Sequence, residues 1–170
     1  MASLKLLSAL KVSTRSGIAE LDDFVSNVRL FASGDSLDAP DGILDYQDFA
    51  TCALGYRFYS NENNTFFLNK DYALEGPSDM WEGGMLVSRT WYRNGDKHGL
   101  ETKWWCPTTK RTEGRWRNGK RVGEHTKWNH DGWPSETEVY SEEGECVMLV
   151  VYSLSERGKV AHTMLINQLE

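Results

Sequence analysis

Several features that would mark an enzyme, a secreted domain or a membrane protein are scarce or missing in this chain of 170 residues. Cysteine occurs three times, at Cys52, Cys106 and Cys146, an odd number at wide spacing with no Cys-x-x-Cys pair. That excludes a disulfide framework and a zinc ribbon, and leaves reduced thiols in a cytoplasmic or similar compartment as the expectation. No apolar run approaches the length that spans a bilayer. The first twelve residues are apolar, but Lys5 and Lys11 interrupt them, and no signal-peptide core or cleavage site follows. Asn63-Asn64-Thr65 fits a glycosylation sequon, which without a secretion signal is coincidence.

Catalytic signatures are missing too. There is no Gly-x-Ser-x-Gly, no phosphate-cradling glycine loop and no His-Glu-x-x-His. His98, His125 and His130 are scattered without convergent ligand spacing, and the acidic stretch Asp35 to Asp48 lacks the spacing of a calcium loop. The expectation is a protein without catalytic residues, cofactor or metal.

What is abundant is aromatic and charged surface. Aromatic residues make up 12% of the chain against 39% apolar overall, so its apolar material is concentrated in rings, which suit half-buried pleated surfaces. The net charge of −6 is unevenly spread. Between Val87 and Gly132 stand eleven Lys/Arg and five acids, leaving eight basic and twenty acidic residues elsewhere. A basic segment in an acidic protein points to a charged partner, or to neutralisation within the chain.

Two regions divide the sequence. Residues 1–50 read as a partly helical N-terminal region: Ser16 can cap a helix that carries Ile18, Leu21, Phe24, Val25 and Val28 at helical spacing. An acidic, turn-rich linker follows through Gly42, and Tyr46 to Tyr56 is ambiguous between helix and strand. Residues 51–170 read as β-hairpins, clearest over 89–144, with 145–170 as a terminal cap. Tyr92-Arg93-Asn94-Gly95 recurs 24 residues later as Trp116-Arg117-Asn118-Gly119, and Thr102-Lys103-Trp104 as Thr126-Lys127-Trp128. Asn-Gly is the strongest hairpin signal, because both turn residues must accept positive φ. An even period keeps each position on one face, so Tyr92, Trp116 and Tyr140 are expected to stack as one aromatic ladder and Trp104 and Trp128 as a second. Strand alternation is expected to set Arg111, Glu113, Arg115 and Arg117 on one face. Degenerate hairpins are expected upstream, around Asn61 to Asn64 and Gly83-Gly84.

The segment Glu113-Gly114-Arg115-Trp116-Arg117-Asn118-Gly119-Lys120-Arg121-Val122-Gly123 resembles the MORN (membrane occupation and recognition nexus) repeat. Trp91 to Gly99 fits the same pattern of an aromatic residue, a first glycine and a second glycine. A further glycine usual in that family is replaced by Leu100-Glu101 and Glu124-His125, and the second strand is rich in Trp, as in variant repeats of bacterial and large-DNA-virus proteins. The resemblance covers about 70 residues well and about another 50 loosely, and residues 1–50 have no match. It implies an elongated antiparallel sheet that serves in scaffolding, self-association or partner docking. It also implies that anionic lipid headgroups could be bound and that a virion location is open.

The function expected is a protein–protein interaction scaffold. A structural component of a large assembly, such as a viral capsid, and a peripheral binder of anionic lipid are the alternatives. The residues singled out for partner binding are Arg93, Lys103, Arg115 and Arg117, with Trp105 and Trp133 as exposed anchors, because Arg and aromatic residues dominate interface energetics. Trp105 stands out because Asn129 replaces it one repeat on. Against a basic binding face, Glu101, Glu113 and Glu124 are interspersed and can neutralise neighbours across strands. With an acidic remainder and no recognition helix, nucleic acid is not the expected partner.

Overall fold

A computed structural model describes residues 55–153 and 155–166. The helical region expected over residues 1–50 lies outside the described residues. The described residues form one ten-stranded antiparallel sheet in which strands neighbour one another in sequence order. They are β1 (Arg57–Ser60), β2 (Asn64–Leu68), β3 (Gly76–Glu82), β4 (Met85–Arg93), β5 (Asp96–Cys106), β6 (Thr109–Arg117), β7 (Lys120–Trp128), β8 (Pro134–Tyr140), β9 (Cys146–Tyr152) and β10 (Val160–Leu165). The mainly β class, the hairpin array and the expected turns at 61–63 and 83–84 are all present.

The 24-residue period is a pair of strands. Its turns form as their residues require: Asn94 and Gly95 have φ of 49° and 91°, and Asn118 and Gly119 have 48° and 78°. Both central residues of such a turn sit in the left-handed region, where Asn and Gly cost least. The second glycine of each repeat, Gly99 or Gly123, also has positive φ, and lies where β5 and β7 each carry two residues more than the facing strand.

Registers extend the period beyond the segments whose residues repeat. One cross-strand row runs Thr65–Asp79–Arg89–Thr102–Glu113–Thr126–Thr137–Val150–Thr163. Its members on β2, β4, β6 and β8 are 24 residues apart, as are those on β5, β7 and β9. A β-bulge recurs at the same interval. Val87, Arg111 and Ser135 are each skipped in the pairing of β4, β6 and β8 with the strand before.

The two faces differ in burial. Phe67, Asp79, Trp91, Thr102, Val122 and Thr137 are buried and alternate onto one side, the Trp91 face. Several polar groups there pair with one another: Arg89 grips Asp79 through two bonds of 2.7 and 2.6 Å, Thr102 donates to Glu113 at 3.0 Å, and the Thr126 and Thr137 hydroxyls meet at 2.9 Å. Such pairing offsets the desolvation of the groups that make it. The opposite side, the Glu101 face, carries Lys97, Glu101, Lys103, Trp116, His125 and Tyr140, and leaves most of them half-exposed.

Candidate docking surface

On the Glu101 face the expected aromatic ladder takes a different form. Tyr92, Trp116 and Tyr140 stand on alternate strands, hence roughly 10 Å apart, beyond stacking distance. Residues of the intervening strands fill the gaps. Lys97 lies 4.5 Å over the Trp116 ring, and Arg121 lies 5.6 Å from Trp116 and 5.5 Å from Tyr140. The His125 imidazole meets Trp116 and Tyr140 edge-on at 5.7 and 5.2 Å. The order across the strands is therefore ring, cation, ring, cation, ring, with cation–π attraction at Trp116 and Tyr140 in place of ring stacking. For Trp128 the partner found is Lys110, 5.8 Å from its ring.

Glu101 ties this surface together. Its Oε1 accepts from Lys97 at 2.8 Å and from the Thr90 hydroxyl at 3.3 Å, with Lys103 at 3.7 Å, and its Oε2 accepts from the Trp116 indole N–H at 3.0 Å. Burial pushes its carboxyl up, but Lys97, Lys103 and the Trp116 N–H together hold it below the ordinary value. One repeat later His125 takes the place of Glu101 and Gly114 that of Thr90. The imidazole Nε2 lies 2.7 Å from the Arg115 carbonyl. That oxygen only accepts, so Nε2 carries the proton. Burial lowers the His125 pKa.

The basic segment is largely neutralised within the chain. Of its eleven cations, Arg89, Lys97, Lys103, Lys110, Arg117, Arg121 and Lys127 pair with carboxylates among the described residues. Three of the acids, Glu136, Glu138 and Glu142, lie just beyond the basic stretch, on β8 and in the turn after it. The charge imbalance along the sequence is a neighbour relation in the sheet.

The residues singled out from the sequence do not form one site. Arg93, Arg115 and Arg117 alternate onto the Trp91 face, while Lys103 lies on the Glu101 face. Arg93 and Arg117 end their strands beside equivalent turns, both exposed, and Arg117 is bonded to Glu142. Arg115 is exposed along β6. Trp105 is half-buried and held on three sides rather than presented as an exposed anchor. Its indole N–H donates to the Trp128 carbonyl at 3.0 Å, His130 stacks on it at 3.8 Å and Arg111 lies 4.4 Å from its centroid. Trp133 is 39% exposed and sits against Gly158 of the last turn.

Arg111 does not share a face with Arg115 and Arg117 as strand alternation suggests. As the bulged residue of β6 it is re-aimed over Trp105. It thereby lines a hollow of about 550 Å³ on the Glu101 face, together with Met80, Met85, Val87, Lys103 and Trp105. Sequence reasoning named Glu101 as a neutralising acid but did not single out Glu101, His125 or Arg111 for binding. A glycine inside a strand signals close approach, so Gly114 could have pointed to His125. Among the described residues no cluster of His, Cys, Asp and Glu could hold a metal ion, and Cys106 and Cys146 are unbridged. No helix among them is long and apolar enough to cross a membrane.

No protein-family model matches the chain, and no curated protein matches it. Among solved structures it is similar to a crystal structure of TarM, at 12% identity and a TM-score of 0.35, over 83% of this chain and 24% of that one. It is also similar to an S. aureus TarM mutant in complex with fondaparinux, α-GlcNAc-glycerol and UDP, at 8% identity and a TM-score of 0.31, over 71% of this chain and 22% of that one. The chain thus spans under a quarter of either protein, and a likeness this slight carries nothing about activity.

Proposed function

We propose that the chain is a non-enzymatic, MORN-like hairpin-repeat scaffold that docks protein partners, and that its terminal strand β10 accepts an added strand. The observation that carries this reading is the exposure of β10. Each of its six residues is exposed, among them Val160, Met164 and Leu165, and its outer edge has no neighbouring strand among the described residues. The strand holds no Lys, Glu, Asp or Pro, residues by which soluble sheets blunt an edge, and its one bulge, at Ala161, lies near its start and leaves His162 to Leu165 in regular pairing. A row of unpaired N–H and C=O groups flanked by apolar side chains is what β-strand addition uses. Ion pairing within the basic segment favours a protein partner over an anionic lipid surface, since most of its cations already face carboxylates. Where the added strand belongs to a second copy, the same chemistry builds a longer sheet, as a structural component of an assembly requires.

The test is a pair of lysines on the edge strand. Met164 and Leu165 are 48% and 53% exposed and point to opposite faces, so Met164→Lys with Leu165→Lys should fold normally. Partner capture or self-association, followed by sedimentation velocity, should be lost in that variant. Unchanged association would remove β10 from the account.

A further inference from the structure

We infer that the hollow bounded by the bulges at Val87 and Arg111 is a second docking site, and that it takes a peptide segment combining an apolar side chain with a nearby carboxylate. The inference rests on the scaffold reading above for the class of partner, but it uses a surface separate from β10.

The hollow is composed in two halves. Met80, 47% exposed, forms one wall with Met85 and Val87. Methionine-rich walls suit peptide side chains because they adapt in shape. The other wall is Lys103, Trp105 and Arg111. Arg111 has no carboxylate partner among the described residues and lies 4.4 Å over the Trp105 ring, which is itself fixed by His130 and the Trp128 carbonyl. A guanidinium over a ring, with no carboxylate of its own, keeps N–H donors that can receive a carboxylate through two bonds. Lys103 is 43% exposed and stands only 3.7 Å from Glu101, whose closer partner is Lys97, so it can turn to a second anion.

Charge decides which anion. Lys97, Lys103 and Arg111 line the hollow against Glu82 and Glu101. The surplus is a single positive charge, which suits one carboxylate and disfavours a doubly charged phosphate or a lipid bilayer. A volume of about 550 Å³ is in the range of ligand sites, generally about 300–1,000 Å³. The site is particular to this stretch of the sheet. One repeat later Ser135 occupies the bulge and Asn129 replaces Trp105, so neither the guanidinium nor its platform recurs.

The experiment selects binders from a random heptapeptide library on the full chain, then measures the selected peptides by fluorescence anisotropy. The expected selection places Leu, Met or Val within three residues of Asp or Glu. Binding should weaken about tenfold or more in Arg111→Glu and in Lys103→Glu, as expected for loss of a charged contact. Arg111→Lys, which keeps the charge but loses the fork, should fall between. The edge variant Met164→Lys with Leu165→Lys should bind these peptides normally, which separates this site from β10. Circular dichroism of each variant checks the fold. Selection without acidic residues, or binders that Arg111→Glu and Lys103→Glu leave unchanged, would overturn the inference. Loss of binding in the edge variant alone would assign the peptides to β10 instead.

Discussion

The imidazole of His125 lies directly on Gly114: a Cβ built on that glycine would fall 2.1 Å from Nδ1 and 2.4 Å from two ring carbons. The ring occupies the volume a side chain would need, because β6 and β7 pair Gly114 with His125. Gly114→Ala must expel the imidazole from between Trp116 and Tyr140 and break its bond to the Arg115 carbonyl. Overpacking of this kind costs about 1–3 kcal/mol. Urea unfolding should show that loss. His125→Ala combined with Gly114→Ala should cost less than the two single changes summed, since removing the ring relieves the clash.

The same imidazole makes stability depend on pH. Burial lowers the folded-state pKa of His125 beneath the ordinary 6.5. The folded protein then binds fewer protons than the unfolded chain, so the contribution of His125 is complete above pH 6.5 and declines as pH falls through the folded value. The urea midpoint should drop between pH 7.5 and pH 5.5. His125→Gln should flatten that part of the profile.

Glu101 holds three donors and a fourth cation nearby, Lys103, on a half-buried surface, so Glu101→Gln tests the ring-and-cation ladder. Losing the charge weakens the bonds from Lys97 and Trp116 and removes the carboxylate that Lys97 pairs with among the described residues, a change of about 2 kcal/mol for a part-buried charged network. Glu142→Gln removes only an exposed partner of Arg117 and should move stability by less than about 0.5 kcal/mol. Thermal denaturation of the two variants side by side distinguishes a hub from an ordinary surface pair.

Cys106 should be the more reactive of the two described thiols. Hydrogen bonds from the Thr108 and Thr109 side chains lower its pKa to about 7, while the hydroxyl of Thr108 lies 3.5 Å from the sulfur. Thiolate is the reacting form, so alkylation should accelerate through neutral pH. Iodoacetamide labelling followed by mass spectrometry should mark Cys106 before Cys146, and Thr108→Ala should move the midpoint of its pH profile upward.

Much of the fold was legible in the sequence, because turns carry their conformation in residue type. Asn94-Gly95 and Asn118-Gly119 announce hairpins, and the period between them marks the repeating unit. The bulges were not legible. Val87, Arg111 and Ser135 share a position without sharing any chemistry, since a bulge is a matter of backbone register that several residue types satisfy. For that reason strand alternation put Arg111 on the wrong face and hid the hollow it lines. The ladder has a related cause: an even period aligns Tyr92, Trp116 and Tyr140 on one side, but the strand between each pair supplies Lys97 and Arg121 to separate them. Of the six residues chosen for binding, Lys103 and Trp105 line the hollow, while Arg93, Arg115 and Arg117 lie on the opposite face and Trp133 packs by the last turn.

On the proposed function, the sheet is a docking scaffold and β10 is the edge that accepts an added strand. The most direct measurement is quantitative affinity capture from the native source at low and high salt, with the wild-type chain and the Met164→Lys, Leu165→Lys variant in parallel. The account predicts a stoichiometric protein partner, or a second copy, that resists salt on the wild type and is missing from the variant. The same proteins captured equally by both, or anionic lipid alone released by salt, would contradict it.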